Sequence, residues 1–181
     1  MHLRAAITVR QPLAEVFTVW ENLENLPLFM EHLESVQRGA DGRSRWTAKA
    51  PGGTIEWEAE IIELTPNEII VWRSLPGSRV DNSGRVRFVP APGLRGTEVH
   101  LEMEYDVPGG KAGELVAKLF GADPQQQVKD DLRRFKQVLE AGEVVRSDST
   151  PEGAGARGFI KQRPARPLQE KELVATGGRT S

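Results

Sequence analysis

Residues 54–64 read TIEWEAEIIEL. Ile55, Trp57, Ala59 and Ile61 alternate with Glu56, Glu58 and Glu60, a period of two. Successive side chains of a strand point to opposite faces, so this segment sets one apolar row against a core and one row of carboxylates in water. A strand wet on one side belongs to an antiparallel sheet, because parallel sheets are covered on both faces. Residues 97–105, TEVHLEMEY, repeat the pattern, with Val99, Leu101, Met103 and Tyr105 opposite Glu98, His100, Glu102 and Glu104. Around these two anchors, ESVQRG, SRWTAKA, IIVWRSL and RVDNSGRVRFVP are strand-like runs cut by the turn words ADGR, PGG, TPNE, PGS and APGLRG. With LRAAITV near the start, seven strands are predicted.

Helical periods fall outside this block. Pro12 stands where a missing N–H is tolerated, and Leu13, Val16, Phe17 and Trp20 follow at i, i+3, i+4 and i+7. Leu23, Leu26, Phe29 and Met30 predict a second short helix, with Pro27 near its first turn and Glu24 and Glu31 toward water. GELVAKLFG predicts another turn or two of helix. In DPQQQVKDDLRRFKQVLEAGE, Asp123 as N-cap, Pro124 at N1 and Gln126 at N3 form a capping-box arrangement. The stripe Val128, Leu132, Phe135 and Leu139 faces the sheet, Gly142 stops the helix, and Asp130 is expected to pair with Arg134 at i+4. An antiparallel sheet with helices on its apolar face is an α+β domain.

Composition narrows the partners. Hydrophobic content of 38% and charged content of 28% suit a soluble domain. A net charge of −2 argues against nucleic acid, which demands a basic surface. There are no cysteines, hence no disulfide, thiolate metal site or cysteine nucleophile. No apolar run is long enough to span a bilayer, so no stable membrane insertion is expected and the cytoplasm is the expected location. MHLRAAITVRQP reads as a first strand rather than a signal peptide. From Ser147 the chain turns rich in Gly, Pro, Ser and charge, so the expected division is a folded domain over 1–146 and a disordered tail over 147–181.

The words ITVRQPLAEVFTVWENLENLPLFMEHLESV, TIEWEAEI, PNEIIVWRS, GRVRFVPAPGLRGTEVHLEMEY and DLRRFKQVLEAGEV cover nearly all of residues 3–146. Together they resemble the polyketide cyclase/dehydrase-like family of the START / Bet v 1-like (SRPBCC) superfamily. The resemblance implies a helix-grip fold, a curved seven-stranded antiparallel sheet wrapped around a long C-terminal helix, with two short helices after the first strand. It also implies a cavity for a hydrophobic ligand such as a lipid, a quinone or a polyketide-like molecule.

The residues themselves favour binding over chemistry. His2, His32 and His100 lie far apart without metal-ligand spacing, so no metal and no cofactor is expected. The glutamate rows sit on the wet face, where Arg85 and Arg87 are placed to pair with them, and His32 is expected at an exposed edge. GxSxG, Walker and dinucleotide fingerprints are absent. The inward positions carry aromatics instead: Trp46, Trp57, Trp72, Phe88 and Tyr105, with Met103, suit a bulky apolar ligand with one polar end. Which of Trp72 and Arg73 faces inward is left open, because both sides of that strand carry an Ile. Leu26, Phe29 and Met30 are expected to form a lid, with the segment PGGKAGELVAKLFG as a further part of the gate. The expectation is a carrier or binding protein with no general base on its inner strand positions. The alternatives are a cyclase/dehydratase-type enzyme, or a module that binds a protein partner through the P-x-x-P of Pro164 to Pro167.

Overall fold

A computed structural model describes residues 1–106 and 109–141. The tail over 147–181, its P-x-x-P and the Gly142 stop lie outside the described residues. Seven strands form a single sheet: β1 (His2–Val9), β2 (Leu33–Arg38), β3 (Arg43–Ala50), β4 (Gly53–Thr65), β5 (Ile69–Ser74), β6 (Asp81–Pro90) and β7 (Thr97–Asp106). Their order is β1-β7-β6-β5-β4-β3-β2, all pairs antiparallel. Helix α1 (Leu13–Glu21) and a 3₁₀ helix (Leu23–Leu28) carry the chain from β1 at one edge to β2 at the other. Helix α2 (Lys111–Leu119) and the long helix α3 (Pro124–Ala141) follow β7. The sheet curls as a half-barrel about α3, the helix-grip α+β arrangement.

The alternation of β4 is the alternation of its burial. Ile55, Trp57 and Ala59 are buried, while Glu56 and Glu58 are exposed. The pattern stops after Ile61, which stands opposite Trp72, because a bulge between Ile61 and Glu63 interrupts the ladder with β5 and leaves Ile62 exposed. On the wet face carboxylates meet cations across strands: Arg45 with Glu58, Arg73 with Glu60, and both Arg4 and Arg85 with Glu102. Arg73 therefore points outward and Trp72 inward, which decides the question the sequence left open.

On α3, Val128, Leu132, Phe135 and Val138 are buried, so Val138 takes the inward place expected of Leu139, which is half-buried. Asp123 caps the helix, its Oδ1 accepting from the Gln126 N–H at 3.0 Å. Asp130 pairs with Arg133 at 2.6 Å rather than with Arg134, whose guanidinium is drawn instead to Glu31 at 2.5 Å and Asp131 at 3.3 Å.

Side chains of α3 close the β1 edge. Gln125 accepts from the Arg4 N–H and donates to the Arg4 carbonyl, Lys136 donates to the Thr8 carbonyl at 2.6 Å, and Glu140 accepts from the Arg10 N–H at 2.7 Å. At the other edge Glu24 of the 3₁₀ helix accepts from the Arg38 N–H at 3.0 Å. Exposed edges recruit foreign strands, and both are blunted here by side chains.

Candidate functional site in the grip of the sheet

Three of the predicted ligand-facing residues form one group. Trp46 and Trp57 stand opposite each other across β3 and β4, ring centroids 5.8 Å apart, and Trp72 lies nearly parallel to Trp46 at 6.2 Å. Trp72 can lie flat across the sheet because its partner on β6 is Gly84. A Cβ at position 84 would stand 2.2 Å from Trp72 Cζ2. Beside the indoles runs a row of small and polar inward residues: Ser44 opposite Ala59, Ala59 opposite Ser74, and Asn82 opposite Tyr105, with the Asn82 N–H donating to Ser74 Oγ at 3.0 Å.

Among the described residues, only part of this polar content is satisfied. Trp46 Nε1 donates to Ser44 Oγ at 2.8 Å. The indole N–H groups of Trp57 and Trp72 and the Oδ1 of Asn82 are buried without a hydrogen-bond partner among the described residues. Buried polar groups in native proteins are nearly always paired, and each orphan costs roughly 1–3 kcal/mol. Tyr105 donates only weakly, to Met103 Sδ at 3.9 Å, and burial pushes its phenol well above the usual range, partly opposed by the Asn82 side chain opposite it.

The row ends in a second, titratable group that the periodicity did not reveal. His32, expected at an exposed edge, is buried: its side chain is 4% exposed and faces Asp131, 1% exposed, with Nδ1 and Oδ2 3.8 Å apart. The reason is local. Its neighbours Met30 and Leu33 are both core residues, and its ring packs on Phe120 at 5.0 Å. Phe120 in turn meets Tyr105 edge-on at 4.5 Å. Burial, assisted by Lys49, pushes the imidazole down to about 4, so it is neutral at ordinary pH. Burial pushes Asp131 up to about 7, partly opposed by the Glu31 N–H and by Arg134. The expectation of an interior without a histidine is thus corrected: the inward strand positions carry none, but the turn before β2 supplies one. Asp131 had a legible signal, since it lies three residues after Val128 and four before Phe135, on the apolar stripe itself. His32 had none, because a turn has no period.

Phe88 belongs to another group. Its ring meets Phe17 at 5.4 Å and Trp20 at 6.5 Å, and Trp20, Phe29 and Phe135 pack mutually at 4.9–5.5 Å. Leu26, Phe29 and Met30 lie within this packing, at most 1% exposed. Helix α2 buries Val116 and Leu119, with Phe120 directly after it, and is flanked by Gly110 and Gly121, both at positive φ. A surface cleft of about 300 Å³ beneath the β5–β6 loop, lined by residues such as Arg73, Pro76, Ser78 and Asp81, shares only Ser74 with the interior row.

Residues 9–133 match the family model described as polyketide cyclase / dehydrase and lipid transport. A protein of Deinococcus radiodurans known from a crystal structure is 44% identical, with 79% of this chain and 100% of that one aligned at a TM-score of 0.66. An uncharacterized 17.2 kDa protein of Streptomyces lincolnensis is 28% identical over 137 residues, 75% of this chain and 87% of its own length. The Zhui aromatase/cyclase of a Streptomyces species aligns over 89% of this chain and 92% of its own with a TM-score of 0.51; at 19% identity that likeness is one of fold.

Proposed function

Because the chain belongs to the polyketide cyclase / dehydrase and lipid transport family, we propose that it is a binding or carrier protein for a hydrophobic small molecule held between the sheet and α3. The observation that carries this reading is the set of polar atoms on an inner face rich in aromatic rings that have no partner among the described residues: Trp57 Nε1, Trp72 Nε1 and Asn82 Oδ1. An apolar guest with a few oxygen atoms would satisfy such atoms while covering the rings, the combination small-molecule sites share. Trp46, Trp57, Trp72, Met103 and Tyr105 form the wall. Phe88, Leu26, Phe29 and Met30 close the far end as the fixed side of the lid. Helix α2, hinged at Gly110 and Gly121 and anchored through Phe120, is its moving side. None of the described helices is long and apolar enough to cross a membrane, and the cytoplasm is the proposed location.

Titration with an apolar fluorophore tests the reading. Tryptophan emission should be quenched saturably, and Trp57→Ala or Met103→Lys should weaken binding about tenfold, about 1.4 kcal/mol. A linear, unsaturable response would refute it. A second reading, acid–base chemistry of the cyclase/dehydratase kind, is favoured by one observation, the buried His32 and Asp131. Turnover of a polyketide-like substrate that is lost in His32→Ala while binding persists would replace the carrier reading with this one.

A further inference from the structure

His32 and Asp131 reach the same point from different parts of the chain, one from the turn before β2 and one from the middle of α3. Nδ1 and Oδ2 face each other at 3.8 Å, and neither has a hydrogen-bond partner among the described residues. That separation is too long for a direct hydrogen bond, yet one oxygen atom set against both would lie at ordinary hydrogen-bond distance from each. Both groups are held. Asp131 Oδ1 accepts from the Glu31 N–H and from Arg134, each at 3.3 Å, which turns Oδ2 toward the ring. The His32 carbonyl accepts from the Lys49 N–H at 2.9 Å, and its ring rests on Phe120.

Resting on the binding reading above, the geometry points to a head-group subsite in which His32 and Asp131 together receive the hydroxyl of an otherwise apolar alcohol or phenol. Electrostatics select that group. A carboxylate oxygen turned toward Nδ1 favours the tautomer with its proton on Nδ1. The site then offers one donor and one acceptor, and a hydroxyl answers both through a single oxygen. A ketone accepts without donating. An ammonium donates without accepting. A carboxylate would meet the charge of Asp131 at close range in a poorly solvated place. Phe120, on which the His32 ring packs, and Tyr105 next to it give the pair aromatic surroundings that suit a ring attached to that hydroxyl.

Equilibrium dialysis of naphthalene, naphthol and naphthoate against the full chain tests this, at about pH 8, above the value near 7 to which burial raises Asp131. Naphthol should bind about tenfold or more tightly than either of the others, the size expected of two hydrogen bonds formed in a buried site. His32→Phe, which keeps a ring against Phe120, should bring naphthol to within about threefold of naphthalene. Asp131→Leu should do the same. Equal affinity of the wild type for naphthol and naphthalene overturns the subsite and leaves the binding reading standing, and so does a naphthol preference that survives both substitutions. If none of the three probes binds, the binding reading falls and the subsite with it. The wild-type comparison decides the selectivity without any variant, so the outcome holds even where a substitution prevents folding.

Discussion

Gly84→Ala is the smallest substitution that should disturb the whole tryptophan group. The added Cβ would stand 2.2, 2.6 and 2.8 Å from Cζ2, Cε2 and Cη2 of Trp72. Carbon atoms rest at roughly 3.5–4.0 Å, so the overlap exceeds 1 Å at the closest atom. Those three atoms belong to one rigid ring that is 1% exposed and stacked on Trp46, so it cannot swing aside as a flexible chain end would. Two responses are open. The sheet and ring shift together, at a cost of roughly 1–3 kcal/mol for overpacking. Or Trp72 leaves its place, at a cost approaching the roughly 3–5 kcal/mol of deleting a buried aromatic. The cheaper route prevails, and against it stands a gain of about 0.4–1 kcal/mol from removing a glycine from the unfolded chain. The net expectation is a loss of about 1–2 kcal/mol by urea denaturation followed by far-ultraviolet circular dichroism. In a Trp72→Leu background the same substitution should cost nothing or stabilise, giving a coupling energy above about 1 kcal/mol in the double-mutant cycle. Equal costs in the two backgrounds would refute the claim that Gly84 exists to receive Trp72.

Phe135→Ala should destabilise by roughly 3–5 kcal/mol, because its fully buried ring joins Trp20 and Phe29 to the long helix; a near-zero change in the denaturation midpoint would contradict that packing. Asp131→Asn should change the dependence of stability on pH. Burial raises this carboxyl from 3.8 to about 7, so the folded state binds its proton more tightly than the unfolded chain, and the resulting stability, full below about pH 4, is lost as pH rises to about 7. His32, lowered from 6.5 to about 4, contributes the opposite slope, with stability present above about 6.5 and lost as pH falls toward 4. The wild type should therefore be nearly flat between about pH 4 and 6.5, and Asp131→Asn should gain on it by about 2–3 kcal/mol between about pH 5 and pH 8. A difference between variant and wild type that does not vary with pH would count against a buried, raised Asp131.

The parts of the fold that the sequence announced are those governed by a repeating geometry. β4 and β7 alternate for as long as the ladder is regular, and in β4 that holds as far as Ile61, opposite Trp72, after which the bulge begins. The Asp123 cap was legible because capping is a contact between near neighbours. Even so, the reciprocal half of the capping box is missing: Gln126 Nε2 donates to Asp130 rather than back to the N-cap. What stayed hidden depends on residues distant in sequence. Trp72 and Arg73 are told apart by Gly84 on the next strand. Arg134 abandons Asp130 for Glu31, which lies 103 positions earlier. The charge on Asp131 argued for water, while its place on the stripe of α3 argued for the core, and the stripe prevailed. Among the candidate site residues, Trp46 and Trp57 were visible as inward strand positions, while the side taken by Trp72 was not. The His32 and Asp131 pair was not visible, because His32 sits in a turn without a period, although Asp131 lies on the stripe of α3.

The way α3 seals β1 also bears on how a guest can enter. Gln125 and Lys136 fasten the helix to the backbone of the first strand at Arg4 and Thr8, and Glu140 to that of Arg10 just beyond its end. Traffic through a gap opened by lifting α3 would strip all three fastenings at once. For as long as the passage lasted, it would also bare a row of hungry amides and carbonyls ready to zip onto any extended chain nearby. A doorway under α2 involves no such hazard, since that helix covers side chains and not a strand edge. On the proposed carrier reading, the stitching of α3 therefore leaves α2 as the part that would move, and a guest would come and go without the sheet being offered as a seed for aggregation.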